Sequence, residues 1–144
     1  MNKNLIATAK TSIAAHKTKV WNALVSPEAI KQYMFGTDVE SDWKPGGKIT
    51  WSGEFKGKKY KDKGEILQFD PAQTLSYSHF SPLSGKPDKP ENYHTVIIQL
   101  TEEGQTTKVS LSQDNNPDEK SQAESEKNWN AMLEGLKEYV ESTQ

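Results

Sequence analysis

The sequence predicts an α+β fold: one curved antiparallel sheet wrapped around a long C-terminal helix, with two short helices after the first strand. Three observations predict it. The stretch Asp42-Trp43-Lys44-Pro45-Gly46-Gly47-Lys48-Ile49 reads as a tight turn feeding an alternating run. Further alternating runs, separated by turn signals, continue from there to Gln113. The chain then closes on one amphipathic stretch introduced by Asn116-Pro117-Asp118-Glu119. A twisted sheet curls, and its concave face takes the helix.

Each element has its own signature. Leu5, Ala7, Ala9 and Ile13 alternate onto one face and make the first strand. From Ala15 to Val25, the residues Val20, Trp21, Leu24 and Val25 follow helical spacing. Ser26-Pro27-Glu28 is an N-cap with proline at the first helical position, so a second short helix runs to about Tyr33, and Gly36 can end the segment. Pro45 fixes φ at one turn position, and the glycines after it permit φ values other residues avoid. Ile49, Trp51 and Phe55 then share a strand face, Lys56-Gly57 makes a hairpin turn, and the next strand runs from Tyr60 to Phe69. Its apolar period slips between Ile66 and Phe69, which predicts a bulge. Leu75, Tyr77 and His79 share a face. So do Val96, Ile98 and Leu100, with His94 in register. Glu102-Glu103-Gly104 turns the chain into Val109, Leu111 and Gln113, and Ser81–Asn92 is a long irregular loop.

The capping pattern predicts a last helix from Pro117 to about Glu141, roughly 37 Å long at ~1.5 Å per residue. Trp129, Met132, Leu133, Leu136, Tyr139 and Val140 form its apolar stripe, which places Trp129 and Leu136 in the core. The stripe projects back onto Glu126, Ser125 and Gln122. The first turns of the helix therefore either lie over something wet or fray into solvent.

The chain has 144 residues, the length of one domain over 1–144. It contains no cysteine, which excludes disulfides and thiolate metal sites. No apolar run approaches membrane-spanning length, and Met1–Ile6 lacks the apolar stretch of a signal peptide, so a cytoplasmic protein is expected. The net charge is −2, and all 18 basic residues are lysine. Without arginine's planar fork, neither nucleic-acid recognition nor phosphoryl transfer is expected. Lys56, Lys58, Lys59, Lys61 and Lys63 form the densest charge run, read as a solvated strand face that discourages edge pairing; an anionic membrane or acidic partner is the other reading.

Several of these segments together carry a resemblance. Val20-Trp21, Asp42-Trp43-Lys44-Pro45-Gly46-Gly47, Gly64 with Ile66 before Asp70-Pro71, Leu75-Ser76-Tyr77, and the closing helix from Asn128-Trp129 to Leu136 occur in one order. In that order and spacing the chain resembles the SRPBCC (START-like, birch-pollen-allergen-like) superfamily, and more closely the branch named for the C-terminal domain of the activator of Hsp90 ATPase. The resemblance covers essentially the whole chain. It implies a helix-grip fold whose cavity, in many relatives, binds lipids, sterols or polyketide-like aromatics. The same superfamily holds co-chaperone domains and a few cyclases and hydrolases, so fold alone selects none of these activities.

Candidate site residues follow from the strand faces. Of three histidines, His16 opens the first helix and is expected at the surface. His79 and His94 flank the long loop on strands that should pair, each in an apolar row, so they close one end of the barrel, anchor a ligand head group, or bind metal. A third metal ligand is missing from the pattern. Gln113 falls near them if the next hairpin pairs without a slip. Trp51 and Tyr77 are expected as cavity walls, and Trp129, Gln122 and Ser125 face them from the helix. Catalysis lacks its parts: no Gly-x-Ser-x-Gly elbow, no cysteine and no phosphate-binding glycine loop occur. The expectation is therefore non-enzymatic binding of a small hydrophobic ligand, with no cofactor and no metal. The alternatives are a co-chaperone-like interaction module with a chaperone partner, and a cyclase or hydrolase working in the same cavity.

Overall fold

The computed structural model describes residues 5–34, 36–55, 57–81 and 86–142. The elements are β1 (Leu5–Ile13), α1 (Lys17–Leu24), α2 (Pro27–Tyr33), β2 (Asp38–Ser41), β3 (Lys48–Phe55), β4 (Lys58–Asp70), β5 (Thr74–His79), β6 (His94–Glu103), β7 (Thr106–Asn116) and α3 (Glu119–Ser142). The strands form one seven-stranded antiparallel sheet in the order β1-β7-β6-β5-β4-β3-β2. This is the curved sheet, long C-terminal helix and pair of short helices that the sequence predicts. Lys56 of the expected hairpin turn, the side chain of Phe55 and positions 82–85 of the long loop lie outside the described residues.

The 42–47 turn is stitched to β4 rather than standing alone. Gly46 N–H donates to Ile66 O and Ile66 N–H to Gly47 O, both at 2.8 Å. A Cβ on Gly47 would come within 2.1 Å of Asp42 Oδ1, so glycine leaves room for that carboxylate to fold back and cap Lys44 N–H, and any other residue would make it swing away. The expected bulge in β4 is present, as a register shift between Ile66 and Gln68.

The core lies between the concave sheet face and the helices. Ile13, Val20, Ile49, Ile66, Val96, Leu111, Leu133 and Leu136 are fully buried there. Trp129, expected in the core, packs against it but stays half-exposed.

Two boundaries differ from the sequence reading. α1 starts at Lys17, with His16 Nδ1 accepting from Thr18 N–H as its cap. α3 starts at Glu119, with Asp118 as the capping residue: Asp118 Oδ1 accepts from Ser121 N–H at 2.7 Å. Asn116 is not a cap. It ends β7, opposite Leu5, and its side chain donates to Leu5 O and Gln113 O. The strand ladder wins over the local Asn-Pro signal because it satisfies a buried amide on several sides.

The polar start of α3 is neither frayed nor laid over a wet cavity. It docks on β1, the sheet edge. Gln122 Nε2 donates to Ile6 O (2.9 Å) and Thr8 N–H donates to Glu126 Oε2 (3.0 Å). The far end of the helix continues the contact, with Lys137 Nζ donating to Ser12 O (2.6 Å). Ala14 N–H donates to Glu141 Oε2 at 2.8 Å. Residues 6, 8 and 12 offer backbone polar groups that α3 side chains take up, so the helix satisfies an edge that would otherwise invite pairing.

Candidate functional site

The inner sheet face carries an aromatic and polar cluster at one end. Trp51 and Tyr77, both buried, have ring centroids 5.0 Å apart. Beyond them, His79 meets Trp51 edge-on at 5.1 Å. His79 and His94 are directly paired residues of the β5–β6 ladder, with rings stacked 6.1 Å apart. The alternation that placed both in apolar rows brings them together, as the sequence reading expects. Gln113 pairs with Val96 and is buried on the same inner face; its Oε1 accepts from Trp129 Nε1 on α3. Gln122 and Ser125 sit to one side, on Ile6 O and Asn116 Oδ1 respectively, where they frame the helix–edge contact.

One member of the cluster escaped the sequence reading. Asp62 lies opposite Trp51 in the β3–β4 ladder, and its Oδ2 is 2.8 Å from His79 Nε2. Its Oδ1 is buried without a hydrogen-bond partner. The signal was the parity of the lysine run. Lys59, Lys61 and Lys63 face solvent, so Tyr60, Asp62 and Gly64 between them must face in. A charged residue on the inner face of a strand is the informative exception.

This end of the inner face is a mouth, not a sealed core. The His79 side chain is 27% exposed and that of Asp62 18%, while Trp51 and Tyr77 form the floor. Burial pushes the Tyr77 phenol well above the ordinary tyrosine range. Burial also holds the His94 imidazole below the ordinary histidine range, with His79 and Lys86 acting the same way and the Asp114 carbonyl opposing them.

The hollow that the architecture leads one to expect is nearly filled. The interior void lined by Tyr33, Met34, Trp51, Tyr77, Ile98 and Met132 holds about 20 Å³. Large aromatic side chains on facing elements, together with Met132 from the helix, take up the space. The larger concavity, about 780 Å³, lies on the opposite sheet face among Lys48, Lys61, Lys63, Glu65 and Tyr93. It is a solvated groove with a charged rim, which Lys63 and Asp88 bridge as an ion pair. It has neither the aromatic floor nor the convergent polar groups of the inner mouth.

No cluster of three or more metal-ligating side chains occurs among the described residues, and none of their helices is long and apolar enough to cross a membrane.

The profile of the family described as Activator of Hsp90 ATPase homolog 1-like protein matches residues 14–141. The chain belongs to that family. Its wider setting is the START-like SRPBCC superfamily that the sequence resembles. Among solved structures, ChR145 from Cytophaga hutchinsonii is 60% identical, with a TM-score of 0.86 over 99% of this chain and 98% of that one. The Aha1 dimer from Colwellia psychrerythraea shares the fold at 19% identity, with a TM-score of 0.74 over 94% of this chain and 96% of that one. Ara h 8.0201 shares it at 13% identity, with a TM-score of 0.77 over 97% and 99% of the two chains. No curated protein matches the chain. Within this Activator of Hsp90 ATPase homolog 1-like family, the fold is compatible with either a ligand-binding or an Aha1-like domain.

Proposed function

We propose that this protein binds a small, mainly apolar molecule non-covalently, at the mouth formed by Asp62, His79 and His94 over the Trp51–Tyr77 floor. The single observation that carries the reading is the polar cluster itself. A carboxylate and two stacked imidazoles stand on a mainly apolar inner face, half-open, with one buried acceptor unsatisfied. Structure-only clusters in a strand face are normally satisfied, and an unsatisfied one calls for an explanation. Binding sites combine an apolar floor with a few convergent polar groups. The bound molecule enlarges the 20 Å³ void by displacing Met34 and Met132, the most adaptable side chains of its lining. Gln113 and Trp129 wall the mouth from the helix side, while Gln122 and Ser125 hold the frame.

Amide-shift mapping against a panel of lipids and flavonoids tests this. Binding moves Trp51, Tyr77, His79 and His94 together with the inner side of α3. Shifts confined to Lys59, Lys61 and Lys63, or no shifts at all, overturn the reading.

The small void favours a second reading, an Aha1-like interaction module whose interior is simply core. Stimulation of a purified Hsp90-type chaperone's ATPase by this protein, with no ligand bound, supports that reading. Turnover of a bound molecule would instead point to an enzyme in the same place.

A further inference from the structure

Resting on the binding reading above, we infer that the mouth selects molecules whose head group donates a hydrogen bond, a hydroxyl, phenol or ammonium, over those headed by a carboxylate or phosphate. Asp62 uses Oδ2 on His79 Nε2, and its Oδ1 is buried and free. An ionised carboxylate only accepts. His94 Nδ1 lies 2.9 Å from the Asp114 carbonyl, which also only accepts, so Nδ1 carries the proton. In the neutral ring Nε2 is then a bare lone pair. Burial, which disfavours the imidazolium, keeps the ring in that form near neutral pH.

The donors flanking Asp62 and Gln113 are already in use. The His79 Nε2 proton is on Asp62, and Trp129 Nε1–H is on Gln113. Asp114 Oδ1 takes Thr95 N–H at 2.6 Å and sets a second negative charge behind His94. Lys86 acts on His94 as a positive charge, but it is exposed and already engaged. Beside Asp62 and His94 the free hydrogen-bonding capacity is thus acceptor capacity; the floor adds the Trp51 indole N–H and the Tyr77 hydroxyl, which a phenol oxygen can also meet. A donor head satisfies Asp62 Oδ1. A carboxylate head in the same place meets the like charge of Asp62 and leaves that oxygen unsatisfied.

The test uses one apolar body with three heads: para-propylphenol, para-propylbenzoate and propylbenzene, titrated near neutral pH with amide shifts as readout, on the whole chain and on Asp62→Asn. The phenol should bind at least about tenfold tighter than the benzoate and several-fold tighter than propylbenzene. Asp62→Asn, which removes the charge and can present a donor, should narrow the phenol–benzoate gap to within a few-fold. If that variant does not fold, the wild-type ratio decides alone. Equal affinities, or preference for the benzoate, with shifts still at Trp51 and Tyr77, overturn the donor inference and leave the binding site standing. Absence of shifts with all three removes both.

Discussion

His94 stands directly across the β5–β6 ladder from His79, its ring stacked on that ring at 6.1 Å and its Nδ1–H directed at the Asp114 carbonyl. The groups facing it are His79, Asp114 and Lys86, with Asp62 behind His79. Burial leads the forces that hold its pKa below the ordinary value of about 6.5. Between that value and the depressed folded one, the unfolded chain binds more protons than the folded chain. Stability from this group is therefore complete above about pH 6.5 and is lost as pH falls through the window. Urea midpoints measured across the window should rise with pH. His94→Phe should flatten that rise relative to the parent, since carboxylates contribute equally to both. An unchanged slope would mean the ring titrates alike folded and unfolded.

Thr8 and Glu126 make the second relationship with a measurable consequence. The Glu126 carboxylate takes the Thr8 amide at 3.0 Å on the open side of the edge strand. Glu126→Ala should cost about 0.5–1.5 kcal/mol in chemical denaturation, the worth of one such bond. It should also speed hydrogen exchange at Thr8 more than at its neighbours in β1. Protection at Thr8 equal to that of the parent would mean the carboxylate is not what shields this edge.

The contrast between these two places shows what a sequence makes legible. Strand faces are written in parity, so the meeting of His79 with His94, and of Trp51 with Tyr77, follows once the strands are named. Parity also encoded Asp62, but the neighbouring lysines drew attention to the opposite face. The docking of Gln122, Glu126, Lys137 and Glu141 on β1 joins residues more than a hundred positions apart, and it depends on which edge the helix covers. No local pattern states that. The filled interior is likewise a matter of side-chain volume on facing elements, where periodicity says which residues point inward and nothing about the space left between them.

Gly64 marks the closest approach in the sheet. A Cβ there would lie 1.7 Å from Ser78 O, a backbone atom that cannot swing aside. Gly64→Ala should therefore push β4 from β5 and cost more than about 3 kcal/mol, beyond an ordinary overpacking penalty. Gly57 offers the control. Its φ is +80° with nothing within 4 Å of a Cβ, so Gly57→Ala should cost only about 1–2 kcal/mol of left-handed strain. Thermal or urea unfolding of the pair decides it. Equal losses would show that the β4–β5 spacing has slack the geometry does not suggest. Because a Cβ on Gly64 would also lie 3.3 Å from His79 N, and Glu65 N–H donates to Ser78 Oγ, a tolerated alanine should still move the His79 amide resonance.

Leu136 and Trp129 lie two turns apart on the same stripe of α3, and their environments separate two kinds of loss. Leu136 is fully buried, so Leu136→Ala leaves a cavity and should cost about 2–5 kcal/mol. Trp129 is half-exposed, and its main commitment is the Nε1 bond to Gln113 Oε1. Trp129→Phe keeps most of the ring volume but strands the amide oxygen of a residue only 8% exposed, a loss of roughly 1–3 kcal/mol. Gln113→Leu in the Trp129→Phe background removes the stranded group, and should recover part of that loss even though neither original partner remains. Recovery in this double variant, measured by urea denaturation, would identify the tryptophan's role as satisfying a buried acceptor. A further loss would instead mean that Gln113 has a second partner in the mouth, and that Trp129 packs where it was thought to bond.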